Sequence, residues 1–127
     1  MGWKSRITDE RMQRRTHALN RTIHSLPLST RRAMLAAAEA EQLIAGGYTD
    51  DGGGACPMLA AHRRGARDYC RGFPRAWDRF TGATRPRPAT PRELEILKAL
   101  LQESIATAAP GPVPADPPKS QPRALIR

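Results

Sequence analysis

Helix breakers partition this chain more severely than any other feature. Pro27 interrupts one helix-compatible run, Gly46 and Gly47 end a second, and the glycines at 52–54 separate that run from Pro57. Gly65 closes the next stretch, and residues 85–88, Arg-Pro-Arg-Pro, lead to Pro91. Proline removes a backbone donor and clashes inside a helix, and glycine is a poor helix former, so every segment between breakers is confined to a short element. The segments carry apolar residues at steps of three and four, the period of a helix face. The expected fold is therefore all-α: a small orthogonal or hairpin-type bundle of four to five helices over residues 1–107. A flexible glycine-rich loop is expected at 48–55, a Pro/Arg connector at 83–89, and a disordered Pro-rich tail at 108–127.

The first helix is expected to start at Thr8, since Asp9 and Glu10 suit the positive end of a helix dipole, and to run to about Leu26. Met12, Thr16, Leu19, Ile23 and Leu26 form its packing seam, and Arg14, His17, Arg21 and His24 its outer face. After Pro27, Ser29 or Thr30 caps a second helix through Ala33, Ala36, Ala37, Ala40, Leu43 and Ile44, packed on the first as an antiparallel hairpin. Pro57 suits the first position of a short third helix. Phe73, Trp77 and Phe80, at steps of four and three, give a fourth helix from near Pro74 one aromatic side, with Arg71, Arg75 and Arg79 in a separate row. Thr90, Pro91 and Glu93 combine an N-cap, a first-turn proline and a capping-box acid. The helix they open carries Leu94, Leu97, Leu101 and Ile105 on one face, widened by Ile96 and Leu100, and is expected to lie deep in the fold. Aromatic residues make up only 5% of the chain, so Leu, Ile, Met and Ala must supply the rest of the core.

Charge bears on function more directly than on fold. Lys and Arg number 21 against 12 Asp and Glu, a net charge of +9, and the basic side is nearly all arginine. The excess falls in residues 1–27 and 56–90, whereas 28–55 is net acidic. A bipartite basic chain favours an anionic macromolecule, and the guanidinium is a planar fork suited to phosphate and carboxylate. The expected function is non-catalytic binding of nucleic acid or a nucleoprotein complex, with Arg14, Arg21, Arg63, Arg64, Arg67, Arg71, Arg75 and Arg79 as phosphate contacts. The alternative is an adaptor whose basic face meets an acidic protein. A helix-turn-helix is excluded by the long glycine loop where a turn of about three to four residues is needed. Residues 85–88 lack the glycine that a minor-groove hook carries between its arginines, and read as a linker.

Cys56 and Cys70 are the only cysteines, and Cys56, His62 and Cys70 are candidate ligands for a metal, haem or redox sensor, the weakest of the readings. Their spacing fits no familiar zinc pattern. Cys56 before a helix N-terminus is also a candidate for a lowered pKa, but His62, six residues on, is poorly placed as its base, so no enzyme is expected. The glycines at 52–54 lack the lysine of a phosphate loop and have Asp50 and Asp51 beside them, which repel an anion. No cofactor is expected. No run approaches the roughly 20 apolar residues of a membrane span, and a cytoplasmic protein with reduced thiols is expected.

Overall fold

A computed structural model describes residues 2–67 and 70–108, with side chains from residue 10 onward. The chain forms five helices, α1 (Gly2–His24), α2 (Leu28–Ala40), α3 (Pro57–Arg63), α4 (Gly72–Thr81) and α5 (Pro91–Ala108), and two short strands, β1 (Ile44–Ala45) and β2 (Arg87–Pro88). The fold is all-α, as the breaker pattern requires. The expected tail from residue 109 onward lies outside the described residues.

Local chemistry accounts for α3, α4 and α5. Cys56 caps α3 by accepting the Leu59 N–H at 3.4 Å, and Pro57 follows at the first helical position. The Thr90–Glu93 capping box is reciprocal: the Glu93 N–H donates to Thr90 Oγ1 at 3.1 Å, and the Thr90 N–H donates to Glu93 Oε1 at 2.9 Å. In α4 the rings of Phe73, Trp77 and Phe80 are all buried, while Arg71, Arg75 and Arg79 are exposed. Buried Trp77 keeps its indole N–H satisfied by donating to the Ile44 carbonyl at 2.9 Å.

Several expectations need correction. Helix α1 begins at Gly2 rather than Thr8, because no residue between them breaks a helix, and Asp9 and Glu10 lie in its interior. Its seam is buried at Leu19 and Ile23, and at Leu26 just beyond its end, but stands open at Met12, 42% exposed in a groove shared with Leu100 of α5. The first two helices do not pair as a hairpin: α1 packs against α4 and, over a shorter length, α5, whereas α2 packs against α3 and α5. Helix α5 is half-buried, with only Leu97, Leu101 and Ser104 fully enclosed.

Helix α2 also stops at Ala40, short of the expected Ile44. From Leu43 onward the backbone finds its partners elsewhere in the chain. The Ile44 N–H donates to Ala55 O at 3.0 Å, the Ala89 N–H donates to Leu43 O at 2.9 Å, and the Gly46 N–H donates to Asp78 Oδ1 at 2.8 Å. Ile44 and Ala45 pair antiparallel with Pro88 and Arg87, so the Pro/Arg connector becomes half of a strand pair. Gly46 has φ +87°, and a Cβ there would collide with the Arg85 carbonyl, so this crossing requires glycine. Residues 48–55 are tied as well: Asp50 Oδ1 accepts the N–H groups of Gly52 and Gly54 at 3.0 and 2.7 Å, and the Cys56 N–H donates to Tyr48 O at 2.9 Å. One hydrophobic cluster draws on every helix, from Leu19 and Ile23 through Met34, Met58 and Trp77 to Leu97 and Leu101.

Nothing in the spacing of charges marks Arg31 as interior, yet it is 8% exposed at the meeting of three helices. Its Nε donates to Leu26 O at 3.0 Å, and its terminal nitrogens to His24 O at 2.7 Å and Ser104 O at 3.1 Å. The guanidinium thus caps carbonyls left open where α1 ends and fastens that end to α2 and α5.

Candidate functional site

The packing of α1 on α4 decides which arginines meet. A groove of about 400 Å³ between them is lined by Arg15, Arg21, Arg75 and Arg79, with Thr22, Ser25 and the small residues Ala18, Gly72 and Ala76. Among the described residues no carboxylate lines it. Arg14 and His17 lie along the same flank of α1 as Arg21, with the carboxylate of Glu10 at its far end. Arg75 also borders a second, open groove of about 610 Å³, formed with Arg71, Gly47, Tyr48, Pro74 and Asp78. Arg14, Arg15, Arg21, Arg71, Arg75 and Arg79 are all exposed and make no ion pair among the described residues.

The helix geometry explains the row on α4. Phe73, Trp77 and Phe80 must face inward, which fixes Arg71, Arg75 and Arg79 outward, and repulsion at four-residue spacing costs only a few tenths of a kcal/mol per pair. The row meets α1 because the buried seam of α1, Leu19 and Ile23, covers the same aromatic side. Arg15 is not among the arginines that spacing singles out. Only the path of α4 across α1 distinguishes it from neighbouring exposed arginines.

The expected phosphate contacts on and after α3 divide differently. Arg64 pairs with Glu41 at 2.9 Å, and Arg63 donates to the Gly53 carbonyl at 3.3 Å, so both have partners within the chain. Arg67 is exposed beyond the end of α3. None of the three lines the α1–α4 groove. Arg87 forms a two-pronged pair with Glu93, both bonds at 3.0 Å, which commits the connector's second arginine to the fold. Burial alone would raise the Glu93 carboxyl, but the Arg87 guanidinium and the Thr90 N–H together hold it below the usual carboxylate range.

The thiol candidates are not gathered into a site. Among the described residues no three His, Cys, Asp or Glu side chains are placed to hold a metal ion, so Cys56, His62 and Cys70 do not form one. Cys56 is 1% exposed, and burial pushes its thiol up rather than down, against the sequence reading of a lowered pKa at a helix start. Among the described residues no helix is long and apolar enough to cross a membrane. In comparisons with known proteins, the chain matches no family model, no curated protein and no solved structure.

Proposed function

We propose that this chain is a non-catalytic binding protein for nucleic acid, holding the phosphate backbone along the α1–α4 groove. The observation that carries the reading is the groove lining: Arg15, Arg21, Arg75 and Arg79 from two helices, with no acid among the described lining residues. Like charges held at one helix junction cost stability, and a polyanion relieves that cost while releasing its own condensed counterions. The hydroxyls of Thr22 and Ser25 lie in the same lining, where they add neutral donors to phosphate oxygens. Arg14 and Arg71 extend the basic surface at either side. Arg63 and Arg64, with partners of their own, contribute less than the sequence alone would assign them.

The test is the salt dependence of binding to random-sequence oligonucleotides, single-stranded and duplex, by the wild type and an Arg21→Gln/Arg75→Gln/Arg79→Gln variant. All three residues are exposed, so the variant should keep its fold by circular dichroism. The plot of log affinity against log salt should become shallower by roughly 2 to 3, at about 0.7 to 0.9 for each phosphate no longer neutralised. An unchanged slope in the folded variant overturns the assignment. If the wild type binds neither oligonucleotide at low salt but retains a stoichiometric acidic protein after nuclease treatment, the adaptor reading replaces it.

A further inference from the structure

The groove between α1 and α4 holds, besides its arginines, a nucleophile that can be modified. Its hydroxyls are Thr22 and Ser25. Thr22 is half-buried within α1, whereas Ser25 is exposed on the turn between the end of α1 at His24 and Pro27, where an enzyme can reach it. Arg15, Arg21, Arg75 and Arg79 share the lining with it, all exposed and without an ion pair among the described residues. Arg21 stands four positions before Ser25, on the same side of the helix end. The carbonyls flanking Ser25 in sequence, those of His24 and Leu26, both accept from the Arg31 guanidinium, at 2.7 and 3.0 Å. The negative end of α1, which ordinarily disfavours an anion, is thus already countered beside Ser25.

We propose that Ser25 is a phosphoacceptor whose modification closes the α1–α4 groove to nucleic acid. The closure rests on the reading that this groove holds phosphates. In the transfer a protein kinase moves the γ-phosphoryl group of ATP: the bond from the γ-phosphorus to the oxygen bridging it to ADP breaks, a bond from phosphorus to Ser25 Oγ forms, the hydroxyl proton passes to solvent and ADP leaves. The product carries about −1.5 to −2 charge at neutral pH and acceptor oxygens for roughly one to three charge-assisted hydrogen bonds to guanidiniums. A groove of about 400 Å³ has room for that group among its arginines, and no carboxylate among the described lining residues opposes it. Being bonded to the chain, the phosphate competes with nucleic acid for the same cations at a high effective concentration. It also relieves the repulsion among like charges at this helix junction.

The experiment installs phosphoserine during translation at position 25 and, as a control of equal charge, at position 29, where exposed Ser29 does not line the groove. With a random-sequence oligonucleotide as probe, phosphorylation at Ser25 should make the plot of log affinity against log salt shallower by roughly 2 to 3, the same loss expected of the triple arginine variant. Taken from 1 M to 0.1 M salt, that slope amounts to a loss of roughly 100- to 1000-fold. Phosphorylation at Ser29 should cost less than about 10-fold, and equal losses at the two positions would show that net charge alone is responsible and overturn the closure. A second readout needs no nucleic acid. The phosphorus NMR signal of phosphorylated Ser25 should titrate below the ordinary value of about 6, and return toward it in the Arg75→Gln/Arg79→Gln variant. A midpoint that the two substitutions leave unmoved refutes the contact. In protein purified from the cells that make it, fragmentation of the tryptic peptide 22–31 should place phosphate on Ser25, and its absence in both growing and starved cells overturns the phosphoacceptor. If the wild type binds no oligonucleotide at low salt, the nucleic-acid reading fails and the closure with it, while the phosphorus titration still decides whether the arginines hold the phosphate.

Discussion

Replacing Arg31 with Met removes three charge-assisted hydrogen bonds while keeping most of the side-chain volume, so the change in stability reports on the bonds rather than on a cavity. The three bonds run from 2.7 to 3.1 Å and end on the carbonyls of His24, Leu26 and Ser104. A hydrogen bond to a charged group contributes about 1.5–3 kcal/mol, and three sharing one side chain are not additive. Water also reaches the His24 end, because His24 is exposed. A total loss on the order of 4 kcal/mol follows, a large share of the ~5–15 kcal/mol that holds an ordinary domain together. At about 4–8 °C per kcal/mol this lowers Tm by roughly 15–30 °C. Urea unfolding followed by Trp fluorescence measures the difference directly, and Arg31→Lys should fall between the two, since an ammonium lacks the fork that spans three acceptors. Backbone carbonyls do not titrate, so the loss should be the same at pH 5.5 and pH 8. A Met variant within about 1 kcal/mol of the wild type would show that the three-helix junction is held by packing alone.

The Arg87–Glu93 pair and the two thiols give further checks. Glu93, held below the usual carboxylate range, adds stability that is complete above about pH 4.3 and is lost as pH falls through its lowered value. Glu93→Gln should therefore cost on the order of 1 kcal/mol at pH 7, and its Tm curve should converge with the wild type in acid; parallel curves down to pH 2 would refute the pair's contribution. Native protein should expose one thiol to Ellman's reagent at a measurable rate, half-buried Cys70, while Cys56 reacts only as fast as the fold opens. Two equally fast thiols would contradict the burial of Cys56.

How far the sequence reaches depends on whether a feature is settled by neighbours along the chain or across it. The capping box at Thr90 and Glu93, the proline opening α3 and the opposed aromatic and arginine sides of α4 are all short-range, and each is legible from spacing because its partners lie within one or two turns. Periodicity tells which side of a helix turns inward but not what it meets. The same pattern that correctly buries Leu19 and Ile23 fails at Met12, which is 42% exposed in an open groove beside Leu100 of α5. Leu43 and Ile44 look helical, yet the backbone of residues 43–46 is satisfied by Ala55, Trp77, Asp78 and Ala89, 11 to 46 positions away, and no local propensity encodes those partners. Arg31 reads as one more surface charge, since what draws it inside is three main-chain carbonyls, groups that every residue carries and no composition reveals. The arginine groove follows the same rule: the sequence places Arg21 on one outer face and Arg75 and Arg79 on another, and only the packing of α1 on α4, driven by burial of the aromatic side they share, makes those faces adjoin.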